Sequence, residues 1–88
     1  MREKSFLEPF TGQYELPGTV LNVVTRGDRT LVANTPGQPA RELIPRHGML
    51  FDLQGLSGVR IEFKTDASGK VVEAVFYQGG RALVIKKK

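Results

Sequence analysis

Reactive side chains are few in this chain of 88 residues, and they are scattered. A hydroxyl nucleophile needs a base within hydrogen-bond reach. His47 is the single histidine and stands between Arg46 and Gly48, a turn-like setting. Ser5, Ser57 and Ser68 fall in loops or in the amino-terminal segment, and three residues beyond them stand Glu8, Arg60 and Val71. None completes a Ser-x-x-Lys nucleophile pair. Gly69-Lys70 resembles the end of a phosphate loop for two residues, but Val71 follows where Ser or Thr is required. It reads as a hairpin with an exposed lysine, and the chain is expected to carry no catalytic residue of its own.

Metal and cofactor chemistry finds equally little support. Cysteine is absent, which excludes disulfides, thiolate zinc sites and a thiol nucleophile. Asp28, Asp52 and Asp66 lack calcium-loop spacing, so no metal and no cofactor is expected. Glu62 and Glu73 could face each other across a hairpin as an acid/base pair. Like charges directly opposite are destabilising, so interleaving with Arg60 and Lys64 on a solvated face is the better reading. Among the aromatics, Phe51, Phe63 and Phe76 fit a core. Tyr14 and Tyr77 are the candidates for exposure, because their hydroxyls need water or a partner.

Any such groups must be positioned by strands. Pro17-Gly18, Arg26-Gly27-Asp28, Pro36-Gly37, Arg46-His47-Gly48, Gly55-Leu56-Ser57-Gly58, Asp66-Ala67-Ser68-Gly69 and Gly79-Gly80 punctuate the chain as turns. Between them lie short segments rich in β-branched and aromatic residues. The pattern predicts strands at Gly12–Leu16, Thr19–Thr25, Thr30–Asn34, Arg41–Ile44, Met49–Leu53, Val59–Thr65, Val71–Gln78 and Arg81–Lys86. Arg60–Lys64 alternates, with Ile61 and Phe63 on one face and three charges on the other. Val71–Tyr77 is apolar on both faces except for Glu73, as expected of a central strand or one carrying a face-swapping bulge. No window shows an uninterrupted helical period. Ser5–Phe10 could form one turn, with Ser5 as cap and Pro9 ending it.

About eight short strands with no helix of note predict an all-β fold, a single small antiparallel meander barrel, because closure removes the open sheet edges. An eight-stranded interior is filled by side chains or holds one small ligand. The organisation expected is a lead-in over 1–9, a barrel over 10–85 and a basic tail over 86–88. Composition fits a soluble globular domain, with 40% hydrophobic and 25% charged residues. No apolar run is long enough to span a membrane, and the first ten residues lack the apolar stretch of a secretory leader. The formal net charge of +4 owes three positive charges to Lys86, Lys87 and Lys88, which weakens it as an argument for nucleic acid.

A set of motifs in fixed order adds to this reading. Gly12-Gln13-Tyr14, Val23-Val24-Thr25, Pro36-Gly37-Gln38-Pro39, Leu43-Ile44-Pro45, Phe51, Phe63-Lys64-Thr65-Asp66-Ala67-Ser68-Gly69-Lys70-Val71 and Gln78-Gly79-Gly80 follow one another. In this order they resemble the small carboxy-terminal β-domain, of unassigned function, that is appended to serine β-lactamase-like and penicillin-binding hydrolases. Gly79 stands where that family often has Asn, and Leu50 where it often has a second aromatic. The resemblance spans roughly Phe10 to Ile85. It implies a lipocalin-like barrel without catalytic residues, working in cis or in trans with a serine hydrolase domain that this chain does not contain.

Three functions are therefore weighed. The leading one is a non-catalytic accessory barrel that packs on such a hydrolase and shapes its active-site entrance. Pro36, Gly37, Gln38, Pro39 and Arg41, with Tyr14 and Tyr77, are its candidate contact residues. The prolines stiffen the segment, so presenting Gln38 or Arg41 costs little ordering entropy. The same segment could simply be a rigid connector across the barrel end. The alternatives are a stand-alone carrier of a small ligand and, ranked below it, a small nucleic-acid-binding barrel. Large aromatics in so short a chain predict a filled core, which opposes the carrier.

Overall fold

A computed structural model describes residues 6–88. It contains one eight-stranded antiparallel sheet in the order β1-β2-β3-β4-β5-β6-β7-β8, in which every strand pairs with its sequence neighbours. The strands are β1 (Gly12–Leu16), β2 (Thr19–Arg26), β3 (Thr30–Asn34), β4 (Arg41–His47), β5 (Leu50–Leu53), β6 (Arg60–Thr65), β7 (Val71–Gln78) and β8 (Arg81–Lys86). The sheet curls until β1 meets β8, giving a nearly closed barrel. Tyr14 bridges Lys87 across the seam, and the Lys88 amide donates to the Gln13 carbonyl at 2.8 Å. The lysines that read as a basic tail in the sequence are therefore part of the barrel: Lys86 ends β8, and Lys87 and Lys88 close the seam.

The meander places alternate connections at opposite ends. Pro17-Gly18, the Thr35–Ala40 segment, the Gln54–Val59 segment and Gly79-Gly80 rim one end. The β2–β3, β4–β5 and β6–β7 turns rim the other, together with the start of β1 and the end of β8. Inward positions follow the two-residue period of the strands: Tyr14, Leu21, Val23, Leu31, Ala33, Leu43, Phe51, Leu53, Ile61, Phe63, Ala74 and Ile85 are buried together. Two register shifts modify the period. On β7 the shift leaves Val72 as the extra residue, so Val71 and Ala74 both point inward. Both readings of the two-sided apolar pattern of Val71–Tyr77 apply, since β7 lies between two strands and also carries the bulge.

The second shift lies beside Pro45 and carries β4 three residues beyond the Ile44 end expected from sequence. Proline cannot donate to a ladder, yet Pro45 keeps its place opposite Phe51, and the pairing is interrupted only at the next residue, Arg46, which the register skips. Pro9 behaves in a similar way. Instead of ending a turn it stands inside a short 3-10 helix, Glu8–Phe10, at a first-turn position where its missing N–H costs nothing. The proposed cap, Ser5, lies outside the described residues.

Candidate functional site

The two barrel ends are built differently. At the first, the amino-terminal 3-10 turn folds across the opening, and Leu7 and Phe10 pack against the core. Phe10 lies 4.8 Å from Phe63 and 5.8 Å from Phe51 between ring centroids, and Phe63 lies 5.6 Å from both Tyr14 and Phe51. This aromatic cluster seals the end. Tyr14 is fully buried in it, which corrects the expectation that its ring would be exposed. The hydroxyl does need a partner, and it finds one without water. It donates at 2.7 Å to the Phe10 carbonyl, which the end of the 3-10 turn leaves free. Burial pushes this hydroxyl well above the ordinary tyrosine range, so it is a neutral donor at physiological pH.

The second end is open. Leu16, Leu21, Ala33, Leu53 and Phe76 form the floor of a cup of about 270 Å³, and Asn34, Thr35, Gln38, Pro39, Arg41 and Leu56 complete its wall. Below the cup the inward residues pack as the core, and Ala33 is the smallest side chain in its floor. A second depression of about 340 Å³, lined by Pro17, Phe76 and Leu83 among others, adjoins it where β1 and β8 part. Leu83 shares the inward parity of Ile85 but stays 40% exposed, because the seam bridge lies nearer the sealed end.

The rim is fixed by local chemistry. The Gln38 amide donates to the Thr35 carbonyl at 3.0 Å, closing a turn in which Gly37 takes φ +81°. The Asn34 side-chain amide donates to the carbonyls of Thr35 and Gln38, both at 3.2 Å, and ties the loop back to β3. Pro36 and Pro39 restrict the remaining freedom. Beside the loop, where β4 starts next to the end of β5, Arg41 Nη1 donates to the Gln54 carbonyl at 3.2 Å. A Cβ at Gly55 would lie 2.8 Å from that guanidinium nitrogen, so any larger residue there would displace the Arg41 side chain from this position. No carboxylate pairs with Arg41 among the described residues.

The candidate contact residues are thus divided. Pro36, Gly37, Gln38, Pro39 and Arg41 meet at the open end, while Tyr14 lies in the core. Tyr77 stands on the outer wall, half-buried, with its hydroxyl donating to Glu62 at 3.3 Å. It borders an outer depression of about 410 Å³ with Leu50, Arg60 and Arg81. Leu56 and Phe76 belong to the cup although sequence reasoning singled out neither for a site. Leu56 carried a usable signal, an exposed apolar residue in a glycine-flanked turn.

Several of the remaining polar groups form ion pairs or turn hydrogen bonds. Arg46 and Arg60 bracket Asp52 at 2.8 and 3.0 Å on the outer wall; the Arg46 hydrogen bond leads in holding that carboxyl below its ordinary range. The Ser68 hydroxyl donates a hydrogen bond to the Asp66 carboxylate, which also accepts from the backbone amides of Ser68 and Lys70. Glu73 faces Lys64 in the register and pairs with Lys86 at 2.8 Å, whereas Glu62 faces Val75. The two glutamates are therefore interleaved with cations on a solvated face. His47 is exposed at the end of β4. Among the described residues no group of three or more acidic or histidine side chains could hold a metal ion.

Comparison with known proteins yields no matching family model, and neither the curated proteins nor the solved structures provide a match.

Proposed function

We propose that this barrel is a non-catalytic accessory domain that docks on a serine β-lactamase-like hydrolase through its open end and shapes the entrance to that enzyme's active site. The observation that carries the reading is the asymmetry of the ends. One is closed by aromatic packing; the other holds a braced loop, Thr35–Ala40, beside an uncovered apolar cup. A braced loop loses little freedom on binding, so contacts made by Gln38 and Arg41 are not spent on ordering it. The hydrolase as partner comes from the resemblance of the ordered motifs, and the lipocalin-like label for the barrel has the same source.

A nucleic-acid role fits the geometry less well. Phe10, Tyr14, Phe51 and Phe63 cluster edge-on or tilted inside the barrel, which leaves Phe6, Phe76 and Tyr77 at or near the surface, and Phe76 and Tyr77 line separate depressions. Single-strand binding uses several exposed rings along a basic groove.

The test begins with the reading frame and its neighbourhood, where a β-lactamase-like hydrolase domain is expected. That domain, mixed with the barrel, should bind it in calorimetry and show altered turnover. Replacing Gln38 by Ala should weaken the contact. A neighbourhood without such a hydrolase, or a hydrolase whose turnover and calorimetry ignore the barrel, overturns the proposal.

A further inference from the structure

We propose that the open-end cup is a binding site for a small aliphatic carboxylate, an apolar chain of about eight carbons lodged in the cup with its anionic head at Arg41. The inference rests on the open end being the recognition end, as the docking reading holds, but not on the hydrolase being the partner.

The cup supplies each element such a ligand needs. Its floor and one wall are hydrocarbon, from Leu16, Leu21, Leu53, Leu56 and Phe76. A volume of about 270 Å³ is the share of roughly nine waters at ~30 Å³ each, which suits a body of about eight heavy atoms. That is below the size of a drug-like site and excludes a long-chain lipid lying wholly inside.

Polarity sits on one side of the mouth. Arg41 has no carboxylate partner among the described residues, and a single backbone carbonyl accepts from its Nη1. A guanidinium carries five N–H donors in a planar fork that matches a carboxylate. Gln38 lines the same wall. No acidic residue lines the cup, so an anion entering it meets no like charge there. The site is also preformed. The Asn34 amide, the Thr35–Gln38 turn and the two prolines fix the loop, and the contact with the neighbouring Gln54 carbonyl holds Arg41 in place. Little reorganisation opposes binding.

Titration of the full chain with octanoate, followed by amide chemical shifts, tests this. Saturable shifts are expected at Asn34, Gln38, Gln54 and Phe76, with none at Tyr14 or Phe63 and a Kd of about 1 mM or tighter. Octanamide, equally apolar but uncharged, should bind about tenfold more weakly. Butanoate, four methylenes shorter at about fourfold each, should lose more than about a hundredfold. Arg41→Gln should weaken octanoate to the level of octanamide and leave octanamide unchanged. Leu56→Asp, at an exposed loop position, should weaken both. Equal affinity for octanoate and octanamide, shifts confined to the outer wall, or no saturation by about 10 mM would overturn the site. Octanoate binding by a barrel that ignores the hydrolase removes the docking reading alone. Docking without octanoate binding removes the carboxylate site alone.

Discussion

The sealed end and the open end use the same strands and the same inward period, yet one is a core and the other a receptacle. The difference is what covers the last layer of side chains. At the sealed end the 3-10 turn supplies Leu7 and Phe10, and the Tyr14 hydroxyl ties that lid down through the Phe10 carbonyl. At the open end Leu16 and Phe76 stay half-buried and line a cup that no described segment fills. Hydrophobic stabilisation is gained where apolar area leaves water, so stability concentrates at the first end. The second keeps apolar area available for something else. A binding surface is drawn from that reserve, because what is already buried in the fold cannot be buried again on binding.

Mutations at the two ends should therefore read differently. Phe63→Ala is expected to have the largest effect, because its fully buried ring contacts Phe10, Tyr14 and Phe51. Loss of that ring should cost about 3–5 kcal/mol in urea unfolding, most of the net stability of so small a domain. Binding at the open end should fall only as far as folding does.

Tyr14→Phe comes next. It keeps the ring and strands the Phe10 carbonyl, for about 1–2 kcal/mol. It also separates two pH regimes. The folded hydroxyl titrates well above its unfolded value near 10, so its contribution is complete below about pH 10 and is lost as the pH rises beyond. Denaturation midpoints should fall above about pH 10 in the parent and fall less steeply in the Tyr14→Phe protein. Equal alkaline slopes would mean that Tyr14 is not the buried phenol described above.

At the open end, Leu56→Ser should shift unfolding by no more than about 0.5 kcal/mol, since that side chain already faces water. The same change should weaken hydrolase docking. A large loss of stability would show the cup to be core, and the contrast between the ends would disappear.

The smallest effect belongs to the β6–β7 turn. Hydrogen bonding by the Ser68 hydroxyl, then by the Lys70 amide, holds the Asp66 carboxyl below its ordinary range. A depressed carboxyl contributes stability above about pH 4 that is lost as the pH falls through its folded value. Asp66→Asn should slightly flatten the acid side of the stability profile, as read from urea midpoints between about pH 6 and pH 3.

Much of the fold was legible in residue types. Turn residues at short intervals and alternating strands place all eight elements, most within a residue or two of their observed ends, because glycine at positive φ and two-residue periodicity are local properties. Pro45 misled locally, since whether a missing N–H matters depends on the ladder across from it. The candidate site was legible in part. Pro36, Gly37, Gln38, Pro39 and Arg41 announced a stiff, presentable segment and do meet at one end. Leu56 and Phe76, its apolar counterparts, are far apart along the chain and come together only when the barrel closes. Tyr14 went astray because its partner is a backbone carbonyl, which no residue type reveals.

By itself the sequence determined the strands, their turns and the antiparallel order, since each depends on neighbours a few positions away. Tertiary structure alone decided which end would be covered and which left open. That choice follows from where the Glu8–Phe10 turn comes to rest and how the terminal lysines close the seam. Both are contacts between parts of the chain too distant for any local pattern to encode.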